Sequence, residues 1–264
     1  MDTLNDDLLG YILSKSTTKT IGKCIIINKR WKQIIEIYSW MFNLNFLGMN
    51  IKSESLKYFM NAKQINLANC YQITDTGLQY FKGIHTINLR NCHKITDAGL
   101  KYLIGVHTID LSLCYQIIDN VLQYLKGVHT INLWNCIKIT DAGLEYLKGV
   151  HTVDLDNCKL ITDKGLKHLK GVNTIDLSNC NQLTDAGLKY LKGVNTINLY
   201  SCNLITDAGL KYLKGVQIIN LTYCHRITDS GLKYLKGVRT IYLSNNNKIT
   251  NIGLEYLKGA KIYR

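Results

Sequence analysis

The sequence predicts an α/β fold in which short parallel strands alternate with short helices, and three observations lead to this prediction. A single motif recurs every 22 residues, marked by valines at 106, 128, 150 and onward to 238. Apolar residues two apart in each copy indicate a strand with one buried face, and the residues after it place apolar side chains at helical spacing. Because 22 residues cannot bury such a strand and helix alone, the copies must stack side by side.

Comparison of the copies with one another predicts the elements of each copy in order. Nine copies run from Ala62 to Gly259. In each copy the fourth residue is Ile or Val and the sixth residue is Leu. A Thr-Asp pair then offers a side-chain oxygen and a negative charge to the start of a helix. The glycine that closes each copy suits a left-handed helix end. Each copy is therefore predicted to form a strand, a turn, a helix and a second turn.

The repeated motif, V-H-T-I-N-L-x-N-C-x-x-I-T-D-A-G-L-K-Y-L-K-G, resembles the leucine-rich repeat. Its Cys, Ile-Thr-Asp and Gly-Leu are most similar to the cysteine-containing subtype, although each copy is shorter than is usual there. The resemblance implies a leucine-rich-repeat solenoid with parallel strands on a concave face and short helices on a convex face. Four segments are expected: a helical module at 1–45, a half repeat or junction at 46–61, nine repeats at 62–259 and a C-terminal stub at 260–264.

Composition excludes several classes of protein. The chain has a formal charge of +13 and 46% hydrophobic residues, which suffice for a packed core and exclude a disordered acidic chain. Its opening, MDTLNDDLLG, is acidic where a secretory signal would be basic. No stretch approaches the roughly 18 apolar residues of a membrane-spanning helix. We therefore expect a soluble intracellular protein with no membrane partner.

Cysteines and histidines form two columns in the repeats. Eight of the nine cysteines share one repeat position, from Cys70 to Cys224, and the ninth copy has Asn246 there. Without any C-x-x-C pair, a buried structural ladder is favoured over metal ligation or disulfides. Neighbouring thiols favour a reducing compartment, the cytoplasm or the nucleus. The histidine column has two interpretations. Duplication of a harmless polar residue is favoured over a row that binds metal or responds to pH. The members of the column are His85, His107, His129 and His151.

The sequence carries no motif for catalysis or for a cofactor. G-x-S-x-G, the P-loop and H-E-x-x-H are all absent. Recurring aspartates such as Asp97, Asp141 and Asp163 are assigned to helix capping. The sequence therefore predicts a non-enzyme that needs no cofactor and no metal.

Lysines recur on the helical side of the repeats, where eight of nine copies have Lys before the closing glycine. A basic stripe of this kind can bind nucleic acid or an anionic membrane. Base stacking, however, requires aromatic rings interleaved with the exposed lysines. We expect Tyr102, Tyr146 and Tyr190 to pack between copies instead, so a solvated face is favoured over nucleic-acid binding.

The seventh repeat position is the most variable, with seven residue types in nine copies beside the invariant leucine. If the fourth and sixth positions face inward, the third, fifth and seventh face the concave surface. Large aromatic residues and arginine dominate binding hot spots. The pattern favours a protein-binding patch over neutral drift. The candidate residues are Arg90, Leu113, Trp134, Asp156, Tyr200, Tyr223 and Tyr242.

The first 45 residues resemble an F-box, the helical module with the pattern L-P-x-E-x-L-x-x-I-L followed by V-C-K-R-W. The matching residues proposed to contact an adaptor are Leu4, Leu8, Ile12, Ile27 and Trp31. Asn5 replaces the usual proline and Asn28 the usual cysteine. A helical cap over the first repeat is the alternative reading of this segment.

Together the two resemblances imply a substrate receptor of an SCF-type cullin–RING ubiquitin ligase. The F-box would bind a Skp-type adaptor, and the concave face would bind a target protein, with the chain a monomer within the complex. The combination is similar to the F-box and leucine-rich-repeat proteins of giant DNA viruses of amoebae, in which case the adaptor is the host's. Two alternatives stay open: an interaction scaffold with no ligase link and, less favoured, a basic solenoid that binds nucleic acid.

Overall fold

The computed structural model describes residues 6, 10–11, 13, 15–21 and 29–264. The chain divides into two compact units, an N-terminal unit (Met1–Ile117) and a C-terminal unit (Ile118–Arg264). The division falls where the third copy has Ile118 in place of the threonine that every other copy carries at this position.

In its described residues, the N-terminal unit contains helix α1 and four parallel strands. Helix α1 (Lys29–Tyr38) continues into a 3-10 turn (Ser39–Met41), and a 3-10 helix (Ser53–Phe59) covers the first repeat. The strands are β1 (Leu44–Asn45), β2 (Gln64–Asn66), β3 (Thr86–Asn88) and β4 (Thr108–Asp110), each paired in register with the next. Helices α2 (Asp75–Leu78) and α3 (Asp97–Leu100) lead into the 3-10 turns Gln79–Phe81 and Lys101–Leu103.

The C-terminal unit contains seven parallel strands. They are β5 (Thr130–Asn132), β6 (Thr152–Asp154), β7 (Thr174–Asp176), β8 (Thr196–Asn198), β9 (Ile218–Asn220), β10 (Thr240–Tyr242) and β11 (Lys261–Tyr263). Two 3-10 helices (Asp119–Leu125 and Gly143–Leu147) precede α4 (Asp163–Leu166), α5 (Asp185–Leu188), α6 (Asp207–Leu210), α7 (Asp229–Leu232) and α8 (Asn251–Leu254). Each of these α-helices ends in a 3-10 turn: Lys167–Leu169, Lys189–Leu191, Lys211–Leu213, Lys233–Leu235 and Glu255–Leu257.

The core follows the repeat positions that the sequence predicts. In the sixth copy, for example, Ile175 and Leu177 at the fourth and sixth positions are 1% and 0% exposed. The closing glycines have positive φ, such as +84° at Gly171, which is the left-handed helix end expected of them.

The threonine of the Thr-Asp pair supplies the predicted side-chain oxygen to the helix start, whereas the hydrogen bonds of the aspartate were not predicted. The threonine is the cap: Thr184 Oγ1 accepts a hydrogen bond from Ala186 N–H at 3.2 Å. The aspartate instead links copies, because Asp163 accepts hydrogen bonds from the backbone N–H and the hydroxyl of Thr184 in the next copy. The same linkage joins Asp141 to Thr162. It depends on stacking and so is not visible in one copy alone.

Candidate protein-binding face

The outward surface of the strands in the C-terminal unit forms a shallow groove of about 470 Å³. We call the third and fifth repeat positions of β5–β10 the strand face. The third position contributes threonines such as Thr152 and Thr174, and the fifth contributes Asn or Asp, with Tyr242 in the last copy. The polar groups of the groove are therefore mainly hydroxyls, amides and carboxylates. The residues that line it come from six adjacent strands.

The fifth position is Asn or Asp for a structural reason. Its side-chain oxygen accepts a hydrogen bond from the backbone N–H two residues later, as from Trp134 to Asn132 at 2.8 Å and from Asp156 to Asp154 at 2.9 Å. Such Asx turns end the strand at the fifth residue. Asparagine and aspartate are equally able to accept this bond, so the charge at the fifth position is not required by the fold.

The seventh position consequently lies in a turn after the strand. The third, fifth and seventh positions were expected to face the concave surface together, and the structure adds that the seventh lies beyond the end of the strand. We call the seventh positions of the C-terminal unit the turn row. Within it Trp134, Asp156 and Tyr200 are half-buried, while Ser178 is 4% exposed. In the N-terminal unit Arg90 is exposed at the same repeat position.

Two of the candidate residues occupy a strained backbone position. Leu113 and Tyr223 lie at the eighth repeat position, where φ is +62° and +61°. Asparagine, which tolerates the left-handed region, occupies this position in six of the nine copies. The prevalence of asparagine was the sequence signal for this conformation.

Aromatic side chains of the candidate patch come together at two places in the C-terminal unit. Tyr223 contacts Tyr200 edge-on, with ring centroids 5.4 Å apart, and His225 at 6.0 Å. Tyr242 stacks on Tyr263, with centroids 4.5 Å apart. Tyr263 was not among the candidate residues, because its place beside Tyr242 depends on the pairing of β10 with β11.

Exposed aromatic rings also form a column in the N-terminal unit. Tyr71, His93 and Tyr115 stack in order, with centroids 5.9 Å and 5.7 Å apart. Tyr71 is 52% exposed. They occupy one position in three successive copies, so the column is a direct consequence of the repeat.

The cysteine column is buried and hydrogen-bonded in the described residues. Cys180 Sγ donates to Leu155 O at 3.3 Å, and in the ninth copy Asn246 Nδ2 donates to the equivalent Leu221 O at 2.8 Å. Burial raises the pKa of the Cys92, Cys114 and Cys224 thiols to about 12. These thiols therefore stay protonated at neutral pH, which makes them poor nucleophiles and poor metal ligands.

The histidines form stacked pairs. His85 and His107 have ring centroids 4.5 Å apart in the N-terminal unit, as do His129 and His151 in the C-terminal unit. In each pair the rings are nearly parallel. The rings therefore form a row, whereas a metal site requires ligands that converge on one point.

Lysines and tyrosines alternate on the helical side, contrary to the expectation that aromatic rings would not interleave with exposed lysines. Lys189 Nζ lies 4.8 Å from the centroid of the Tyr190 ring, and Lys82 Nζ lies 5.9 Å from that of Tyr102. The rings are half-exposed. Cation–π contacts with the lysines thus occupy part of the ring surface.

Most of the predicted adaptor contacts lie outside the described residues, namely Leu4, Leu8, Ile12 and Ile27. Trp31 lies on α1 and is partly buried. Two contacts hold described parts of this segment together: Arg30 forms an ion pair with Asp6 at 2.6 Å, and Asn45 N–H donates to Thr18 Oγ1 at 2.8 Å.

Comparisons with known proteins agree with this architecture. A model of the family described as "Leucine Rich repeat" matches residues 84–103, 172–192 and 216–236. No curated protein sequence matches the chain significantly. Among the described residues, no helix has the length and apolarity needed to cross a membrane.

Solved structures with the same fold include a chain from the Rad7 and Elc1 complex of yeast. It is 16% identical, covers 97% of this chain and 90% of its own length, and superposes with a TM-score of 0.53. An internalin of Listeria monocytogenes is 14% identical, with 93% of both chains covered and a TM-score of 0.53. Internalin C2 of the same species is 21% identical over 80% of this chain and 90% of its own, with a TM-score of 0.55. The predicted fold class is confirmed: the chain contains leucine-rich repeats and has the leucine-rich-repeat fold.

Proposed function

We propose that this chain is a non-catalytic receptor that binds a target protein through the strand face and turn row of its repeats. The observation that supports this most directly is the aromatic cluster of Tyr200, Tyr223 and His225. Large aromatic residues dominate the hot spots of protein interfaces. Tyr200 occupies the seventh position, which is the most variable position of an otherwise nearly identical repeat.

The titratable groups of the repeats support a binding role over a catalytic one. The aspartates that begin the helices hold threonines of the next copy, as Asp163 holds Thr184. The thiols are buried and bonded to carbonyl oxygens. Since these groups maintain the stack, we propose that the chain acts without a cofactor, in the reducing environment of the cytoplasm or nucleus.

We further propose that residues 1–45 dock the receptor onto a Skp-type adaptor, so that the chain serves an SCF-type ubiquitin ligase. The proposal rests on the F-box resemblance of Leu4, Leu8, Ile12, Ile27 and Trp31. The yeast structure with the same fold is a complex of two proteins, Rad7 and Elc1, which is compatible with such an arrangement. A receptor of this kind would raise the local concentration of its target near the ligase.

Co-purification with a eukaryotic Skp-type adaptor tests the ligase link. The full chain is compared with a variant carrying Leu4→Glu and Leu8→Glu, and with the control Leu47→Glu, whose leucine is 53% exposed. Adaptor retained by the full chain and the control, but lost from the double variant, supports the proposal. Absence of adaptor from the folded full chain contradicts it and leaves an interaction scaffold without a ligase link.

A further inference from the structure

We propose that the strand face and turn row of the C-terminal unit bind an extended, lysine- or arginine-rich segment of the target protein. This inference rests on the proposed function and specifies the chemistry of the partner. It starts from a segregation of charge. In a chain of net charge +13, the third, fifth and seventh positions of the six copies in this unit contain three aspartates and neither lysine nor arginine. The aspartates are Asp154, Asp156 and Asp176.

The three carboxylates are neighbours in the stack. Asp154 and Asp176 are paired in the register of β6 and β7. Asp156 follows two residues after Asp154, and its carboxylate accepts a hydrogen bond from Asn179 Nδ2 at 2.8 Å. Like charges directly opposite one another on a sheet are destabilising. Burial and the nearby Asp176 both raise the pKa of Asp156, with burial the larger cause.

The Asx turns of the fifth position do not need the charges of Asp154 and Asp176. Asn132 and Asn198 make the same Asx turns in the flanking copies that Asp154 and Asp176 make in theirs. Asp156 and Asp176 form no ion pair with any lysine or arginine in the described part of the chain. The carboxylates repel one another, the turns do not require their charge, and two of them have no cationic partner among the described residues. Such a set is complementary to a cationic segment of another protein.

Aromatic side chains border the carboxylates on both sides. The backbone ladder continues through the turns, because Asn135 N–H donates to Asp156 O and Asn179 N–H donates to Tyr200 O. Trp134 is thus one copy before Asp156, and Tyr200 is two copies after it. Three strand spacings of about 4.8 Å place Trp134 and Tyr200 roughly 14 Å apart. Tryptophan and tyrosine rings attract ammonium and guanidinium groups, which adds to the attraction of the carboxylates.

The shape of the groove favours an extended segment. It crosses six strands, or five spacings, which is roughly 24 Å and corresponds to about seven residues of extended chain at about 3.4 Å each. Threonine hydroxyls and asparagine amides along its length can bond to the backbone of such a segment.

The test uses the full-length chain and two fluorescent eight-residue peptides, one alternating Lys with Thr and the other Glu with Thr. Binding is followed by anisotropy at low ionic strength. The charge-removing variant is Asp154→Asn, Asp156→Asn and Asp176→Asn, in which asparagine preserves the Asx turns. The matched control, Glu54→Gln, Glu145→Gln and Glu255→Gln, removes the same net charge from exposed residues outside the groove.

We expect the lysine peptide to bind the wild-type chain and the control equally, and at least roughly tenfold more weakly to the aspartate variant, a difference of about 1.4 kcal/mol. We expect no binding of the glutamate peptide. Equal binding of the lysine peptide to all three proteins, equal loss in both variants, or no binding at all overturns the inference.

Selection of random displayed peptides on the immobilised chain separates this inference from the proposed function. Enrichment of basic peptides that the aspartate variant no longer selects supports both. Enrichment of neutral or acidic peptides that Trp134→Ala or Tyr200→Ala abolishes contradicts the inference and leaves the receptor function intact. Failure to enrich any peptide contradicts the inference, which requires an extended segment, and does not contradict the receptor function, which a folded target also satisfies.

Discussion

Asp163 binds Thr184 of the next copy through both of its carboxylate oxygens, at 2.9 Å to the backbone N–H and 2.6 Å to the hydroxyl. The Thr184 hydroxyl in turn caps its own helix at Ala186. One pair of residues therefore fixes a helix start and joins two neighbouring copies. The linkage recurs in the C-terminal unit up to Asp229 and Thr250.

Asp163→Ala is expected to lower the free energy of unfolding by about 1–3 kcal/mol, because it leaves the half-buried Thr184 N–H without its acceptor. Urea denaturation followed by circular dichroism measures the loss. Asp156→Asn serves as the control, because it changes an aspartate of the turn row that takes no part in this linkage. It should change stability by less than about 0.5 kcal/mol. An equal loss in both variants would show that the linkage contributes nothing specific.

Gly187→Ala should also destabilise the protein, since a Cβ on Gly187 would collide with Asp163 Oδ1 and approach Leu166 Cδ1 to 3.0 Å. The added methyl group must displace the carboxylate that holds Thr184. We expect a loss of about 1–3 kcal/mol. Combining it with Asp163→Ala gives a double-mutant cycle, and the double variant should lose less than the sum of the two single changes. Strict additivity would contradict the proposed collision.

Tyr223→Asn is expected to stabilise the chain by about 1 kcal/mol, because it places a residue tolerant of positive φ at +61°. The same change should weaken target binding if Tyr223 anchors the partner, which would be a trade of stability for function. Thermal unfolding measures the first effect, and anisotropy with a selected peptide measures the second. Tyr200→Ser is the comparison, since it removes an aromatic ring without relieving a left-handed backbone. If the Tyr223→Asn variant is only as stable as the wild type, backbone strain at Tyr223 is ruled out.

The sequence predicts well those features that a single copy specifies, and less well those that stacking creates. Ile175 and Leu177 could be assigned to the core because alternation alone places them there. Asp163 could not be assigned to Thr184, since a Thr-Asp pair is equally consistent with capping within one copy. Trp134 was expected to face the concave surface, but its place in a turn could not be foreseen, because the Asx turn at Asn132 ends the strand before it. Asp154 and Asp176 were overlooked because the candidates were chosen for variability and for large aromatic or arginine side chains, and the fifth position varies mainly between Asn and Asp.

Stability should fall as the pH rises above about 9, because of the buried thiols. The folded-state pKa of Cys92, Cys114 and Cys224 is about 12, against an ordinary value of 9.0. The thiol form is thus favoured in the folded state, so the contribution to stability is complete below pH 9 and is lost as the pH rises toward 12. Urea denaturation between these pH values should show the decline. Replacing Cys224 by Asn, the residue at the equivalent position 246, should make the decline shallower, whereas an unchanged slope would show that this thiol is not among its causes.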